Sequence, residues 1–355
     1  MGAATSILMV ASPATAQVFA ADARTSVYQD TDATTIVTTA VGATANPIPE
    51  LSISGRYLAD VITTASVDVV AAATDRWEEV RHEGLGSIGY HDTERSISGT
   101  YIYSVENDWR SHTGSLTLSH DLLSHQLTLG ASGSFVYNEV GRSHDANFDE
   151  RLLVGTANVE AAIVASPDDL LAVTYSFIYQ TGYLESPYRF VRFDGPLSGA
   201  AVGAPERVPD SRARNAVGLR YHRHLGGHSF LRLTTRGYVD DWGIVSGTLG
   251  VEFVEELASV VELGIFSRGY AQTGATFYEA TYPEERAYMT SDRELSPFVD
   301  AFGGARIGFD VRDAGPFYSL RGDLKATGFL FHFFEFPALT DRYGVIAELG
   351  LGASL

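Results

Sequence analysis

Residues 126–137 read QLTLGASGSFVY. Leu127, Leu129, Ala131, Gly133, Phe135 and Tyr137 form one alternate set, apolar and ending in two aromatics. Gln126, Thr128, Gly130, Ser132 and Ser134 form the other, mostly polar. Successive side chains of a strand point to opposite faces, so this stretch is a strand with one apolar and one polar face. A half-buried strand of a soluble sheet alternates in the same way. Repetition separates the two cases: the pattern recurs along nearly the whole chain with no amphipathic helix between. That points to one closed sheet.

Composition narrows the solvent on its outside. The chain has 355 residues, 45% of them hydrophobic, and mean hydropathy near zero. A helical membrane protein needs apolar runs of about 20 residues, and none occurs. Glycine is abundant at 35 residues, with 18 Tyr and 19 Phe. Lys325 is the single lysine, so arginine carries the positive charge. The absence of cysteine removes disulfides, cysteine nucleophiles and thiolate metal sites. A net charge of −19 argues against nucleic acid as a partner, because phosphate binding needs a basic surface. At the N-terminus, residues 7–11 form a short apolar core and Ala14-Thr15-Ala16 resembles a cleavage site before Gln17. The first basic residue is only Arg24, so residues 1–16 read either as a signal segment or as an alanine-rich leader. Residues 17–355 read as one barrel domain.

The expected strands are 22–29, 35–43, 51–62, 85–91, 96–104, 115–120, 126–137, 153–165, 171–181, 215–224, 229–239, 244–253, 260–270, 298–311, 318–326 and 343–355. Residues 329–334 are expected to continue the 318–326 strand past a bulge. Asn46-Pro47-Ile48-Pro49 reads as a turn, since prolines fit poorly in a ladder. Short turns near residues 47, 93, 123, 167, 226, 256 and 314 alternate with longer connections at 66–79, 105–114, 139–150, 184–213 and 273–293. The link at 240–243 is the short exception. Outer-membrane barrels sort their turns and loops in this way. The fold expected is therefore all-β: a transmembrane, antiparallel, up-and-down β-barrel of about 16 strands, with both termini at the periplasmic end.

A barrel of that size encloses a lumen too wide for side chains to fill, so the apolar face belongs to lipid and the polar face to water. The lumen-lining residues expected on that basis are Arg56, Asp60, Glu160, Arg220, His222, Arg232, Arg236, Glu252, Glu262, Arg268, Asp300, Arg306, Asp310, Arg321 and Asp323. Their charges can set pore selectivity, or pair across strands and stiffen the wall. Tyr101, Tyr103, Tyr137 and Tyr179 fall at loop-side strand ends, where amphipathic rings collect at a membrane interface. Leu349, Leu351, Ala353 and Leu355 alternate in a closing strand of the kind that barrel assembly machinery recognises, with Leu355 where an aromatic is usual.

Three stretches carry a family likeness: 57–68 (YLADVITTASVD) followed by Glu78-Glu79-Val80-Arg81, 238–244 (YVDDWGI), and 288–298 (YMTSDRELSPF). Together they resemble the domain-of-unknown-function family 3570, collinearly from about residue 50 to the C-terminus. The resemblance implies a barrel of Gram-negative outer-membrane type. It also implies an association with exported redox or flavin-linked proteins, and it supplies no catalytic residue.

Chemistry is sparse. Ten histidines are scattered. His222 and His224 share a strand face but lack the converging third ligand that a metal wants. Asp240, Asp241, His144 and Asp145 are the rim residues a barrel hydrolase would use, and as acidic loop residues they read first as solvated groups. No glycine-rich phosphate loop opens a helix. No catalytic residue, cofactor or metal is expected. The expected function is an outer-membrane pore or transporter for small polar solutes, with lipid, lipopolysaccharide and the assembly machinery as partners. The alternatives are a non-conducting scaffold for exported, redox-linked proteins and, behind it, a barrel hydrolase.

Overall fold

The computed structural model describes residues 19–64, 77–193 and 203–355. The alternation seen in sequence becomes long antiparallel strands: β1 (Phe19–Asp30), β2 (Thr34–Ile48), β3 (Leu51–Thr64), β4 (Trp77–His91), β5 (Arg95–Val105), β6 (Trp109–Leu122), β7 (Leu127–Val140), β8 (Glu150–Ser166) and β9 (Asp169–Gly182). A small hairpin of β10 (Phe190–Arg192) and β11 (Gly203–Pro205) follows. Then come β12 (Ser211–Gly226), β13 (Ser229–Asp240), β14 (Val245–Ala258), β15 (Val261–Gln272), β16 (Phe298–Ala314), β17 (Phe317–Phe333) and β18 (Asp341–Ser354). Apart from the hairpin, these make sixteen strands, each paired with its neighbour. β18 returns to β1 in register from Ala20↔Ser354 to Asp30↔Gly344, which closes the sheet. Closure leaves no unpaired edge, the condition for a sheet to stand in lipid.

The connections sort by end. At one end lie 49–50, 92–94, 123–126, 167–168, 227–228, 259–260 and 315–316, all tight turns. The other end carries 31–33, 106–108, 141–149, 183–210, 241–244, 273–297 and 334–340. The expected connection at 66–79 and the leader at 1–16 fall largely or wholly outside the described residues.

Three sequence expectations are corrected. The 105–114 loop is only 106–108, because Arg110–Thr113 continue β6 in ladder with β5 and β7. Strands that rise above an apolar band end in polar residues, which read as loop in a sequence. Asn46 and Pro47 belong to β2, where a register shift between Ala45 and Ile48 accommodates them. β17 runs through to Phe333 with no shift from Arg321 onward, so the expected bulge before Phe329 is absent.

The two faces separate cleanly. Leu129, Phe135 and Leu249 are 43, 56 and 66% exposed and stand on the convex side. Curvature identifies the concave side. Arg306 on β16 reaches Glu252 on β14 at 2.8 Å, past β15, and Arg24 on β1 reaches Asp323 on β17 at 2.9 Å, past β18. Side chains two strands apart converge in this way only inside a closed wall. Leu127 and Tyr137 share the convex face with Leu129, and Ser132 turns inward to Asn158. Gln126 falls in the turn before β7.

Outward tyrosines lie toward the loop end at Tyr101, Tyr103, Tyr137 and Tyr179, and near the tight turns at Tyr90 and Tyr221. The Tyr57 hydroxyl bonds His82 Nδ1 at 2.6 Å, and Tyr101 bonds His112 Nδ1 at 2.7 Å. Tyr103 and Tyr137 pack around the same His112 ring. Rings with one apolar side and one polar tip suit a membrane interface.

Candidate functional site

The inner wall divides into three arcs, and the register shows how. Along β5–β9, Ser98, Thr117, Ser132, Asn158 and Ser176 sit side by side in one row. Thr100, Ser115, Ser134 and Thr156 make the next. This arc carries hydroxyls and amides with little charge. β1, β3 and β4 bring Asp22, Asp30, Asp60, Glu79 and Glu83 to the inner face, with Arg24, Arg56 and Arg81 among them. β12 and β13 bring Arg212, Arg214, Arg220, Arg232 and Arg236, against Asp240 as their single inner carboxylate.

Most of the charged residues singled out in sequence meet partners here. Arg220 pairs with Glu160 at 2.5 Å and Arg232 with Glu252 at 3.1 Å. Arg306 joins Glu252 and Glu262. Arg268 holds Asp300 at 2.5 Å, Arg321 holds Asp310 at 3.3 Å, and Arg24 holds Asp323. Arg81 neutralises the buried Asp60. Arg56, Arg236 and His222 have no ion-pair or hydrogen-bond partner among the described residues. His222 and His224 do not converge on a third ligand; His224 instead bonds Asp168 at 3.0 Å. Among the described residues no group of His, Asp and Glu has metal-holding geometry.

One part of the wall went unread in sequence. Tyr28, Tyr270, Phe298, Phe302, Phe329, Phe331 and Phe333 form an aromatic cluster on the inner face near the loop end. Phe302 and Phe329 stack at 5.2 Å, as do Tyr28 and Phe329 at 5.3 Å. Arg268 lies over Phe302 at 4.4 Å and Arg342 over Phe331 at 4.3 Å. Gly344 makes room: a Cβ there would stand 2.1 Å from Phe329 Cζ. The signal was GFLFHFF at 328–334, apolar on both faces where the other strands alternate.

Above the mouth, the connections 183–210 and 273–297 fold together. Arg207 and Met289 exchange backbone hydrogen bonds at 2.9 and 2.7 Å, and Tyr282 N–H donates to the Arg192 carbonyl. Val191, Tyr282 and Met289 are fully buried between them. Val208, Trp242, Ile244, Ala275, Tyr278 and Leu295 make a second small core beside it. Glu206 lies inside this junction and accepts from Ser186 N–H and Thr290 Oγ1, each at 2.6 Å. Burial pushes its carboxyl above the ordinary range, partly offset by Arg189, Thr290 and Ser186.

The junction is tied down at both ends. The Tyr188 hydroxyl donates to Asp108 in the β5–β6 connection and accepts from Ser143 N–H. Arg293 pairs with Asp32 in the β1–β2 connection. The described parts of the two connections thus reach together from the β5–β6 connection to the β1–β2 connection.

The motif residues 238–244 and 288–298 build this junction. Asp240 Oδ2 accepts from Arg212 and Tyr238, and its Oδ1 accepts from Trp242 N–H and Ile244 N–H. Gly243 turns at φ +90°, where a Cβ would meet Thr276 Cγ2 at 2.5 Å. Asp292 caps the short 3-10 turn Arg293–Leu295. Asp240 is therefore saturated by structural bonds. His144 and Asp145 lie in another connection, where Asp145 pairs with Arg142.

A closed, sixteen-stranded wall with a polar inside and an apolar outside is a transmembrane β-barrel of the outer-membrane type. A family model described as "Protein of unknown function (DUF3570)" matches residues 12–316, and the chain belongs to that family. The match starts earlier than the sequence likeness noted above and stops before β17. Among solved structures, a bacterial polysaccharide outer membrane secretin is similar with a TM-score of 0.54 and 9% identity, over 96% of this chain and 99% of that one. CdiB from Acinetobacter baumannii is similar with a TM-score of 0.56 and 9% identity, over 95% of this chain and 60% of that one. The siderophore receptor PirA from Acinetobacter baumannii has a TM-score of 0.49 and 12% identity over 88% of this chain, which spans 52% of the receptor's length. At these identities the likeness is one of fold. No curated protein matches the sequence.

Proposed function

We propose that the protein is an outer-membrane pore for small polar solutes, with its tight turns toward the periplasm and the loop junction at the cell surface. The observation that carries this reading is the inner wall, polar around most of its circumference: hydroxyl rows, an acidic arc and a cationic arc, interrupted by one aromatic cluster. A dry core would not be built from such groups, and sixteen strands enclose more space than side chains fill. On this reading lipid and lipopolysaccharide contact the convex face at the Tyr–His belt, and the assembly machinery receives β18.

Single-channel recording in a planar bilayer tests it. The expected result is stepwise current from the purified full chain. Silence across all voltages would sink the pore. The runner-up is a non-conducting scaffold for exported, redox-linked partners. The junction that reaches from Asp108 to Asp32 favours that reading, and it predicts partner capture at the cell surface or in the periplasm without current.

A further inference from the structure

We infer that the inner wall of β12 and β13 is an anion track, taking small oxyanions (carboxylates or phosphate) at Arg214 and Arg236. Five arginines face inward from these two strands, in a chain whose net charge is −19. Arg220 and Arg232 are neutralised by Glu160 and Glu252. Arg212 is neutralised by Asp240 and also lies over the Trp242 ring at 4.3 Å. Asp240 stands directly opposite Arg214 in the ladder and is the obvious partner for it. Its two oxygens are already taken by Arg212, Tyr238, Trp242 N–H and Ile244 N–H. Arg214 is left without a carboxylate among the described residues, and its Nε is buried with no hydrogen-bond partner.

Arg236 lies four residues down β13 from Asp240, a step of roughly 13 Å along the strand. It is exposed on the inner face and has no ion-pair partner among the described residues. A guanidinium presents a planar fork that matches the two oxygens of a carboxylate or phosphate. Two such forks in sequence, below the loop junction and above the neutralised Arg220 and Arg232, give an oxyanion successive stopping points. Charges on a confining wall also raise the local concentration of counter-ions.

The transport arm of this inference rests on the pore reading; the binding arm does not. Calorimetric titration of the full chain in detergent with inorganic phosphate, and separately with succinate, is the test. Saturable binding of at least one probe is expected, weakened about tenfold or more in R214Q/R236Q, as loss of roughly one charge-assisted contact implies. R223Q removes one arginine charge from the outer face of β12 and should bind as the parent does. The stronger probe tells carboxylate from phosphate. No saturable binding, or equal binding in all three proteins, overturns the inference. If the double variant does not fold, R236Q alone gives the same readout, since that side chain is exposed. In bilayers, reversal potentials in a KCl gradient should favour chloride and move toward non-selectivity in R214Q/R236Q. An unchanged potential counts against the track, whereas binding without any current removes the pore and leaves the site.

Discussion

Asp240 accepts Arg212 through both Nε and Nη2, at 2.9 and 2.5 Å, with the two side chains 0 and 7% exposed. The pair sits where β13 turns into the 241–244 connection, under the small core of Trp242 and Ile244. It joins the top of the barrel wall to the folded loops.

Asp240→Asn should therefore be costly. It leaves the Arg212 guanidinium buried and uncompensated and weakens two backbone caps. Breaking one partner of a buried pair typically costs about 3–5 kcal/mol. The expected outcome is a lowered denaturation midpoint measured through tryptophan fluorescence, to which Trp242 beside the pair contributes. An unchanged midpoint would show that the pair holds nothing together.

Arg293 and Asp32 pin the 273–297 connection to the β1–β2 turn, and both side chains are nearly buried. Arg293→Met should free that end of the junction. The exposed Arg286 lies in the same connection and offers a trypsin site. Cleavage there is expected to speed up by roughly tenfold or more, because local opening sets the rate of such proteolysis. Equal cleavage rates in parent and variant would mean the connection is held by its other contacts alone.

Glu206 gives the junction a pH dependence of definite sign. Its carboxyl is raised above the ordinary value of 4.5, chiefly by burial. The folded junction then binds the proton more tightly than the opened one, so acidification stabilises it. That gain is complete below 4.5 and is lost as pH rises through the raised value. Proteolysis of the junction should accordingly slow between neutral pH and the mid-acid range. Glu206→Gln keeps an acceptor oxygen for Ser186 N–H, turns its amide N–H toward the Thr290 hydroxyl as donor, and leaves Arg189 its second partner, Asp292, at 2.9 Å. The variant should show a flatter pH profile, and a profile as steep as the parent's would remove Glu206 as the cause.

Much of the wall could be read one strand at a time. Residues 126–137 alternate because a strand's side chains alternate, and Leu129 and Phe135 stand on the convex face as the pattern requires. The reading broke down where strands carry no apolar–polar contrast. Arg110–Thr113 looked like loop because a strand beyond the apolar band is polar on both sides. GFLFHFF hid its inward rings because both of its faces are apolar. The motif residues Asp240, Met289 and Arg293 carried a family likeness with no chemistry attached to it, and they hold two loops together.

What the sequence determined by itself is the period, the approximate number of strands and the two alternating sets of side chains wherever apolar and polar residues contrast, since all three depend on neighbours in the chain. Only the tertiary structure decided which charges remain free. Arg306 finds Glu252 because the wall curves and brings β14 and β16 together. Arg214 lacks a carboxylate partner among the described residues because Asp240, opposite it in the ladder, is held by a turn that the loops complete. Charge pairing depends on register, curvature and loop packing jointly, and no local pattern encodes all three.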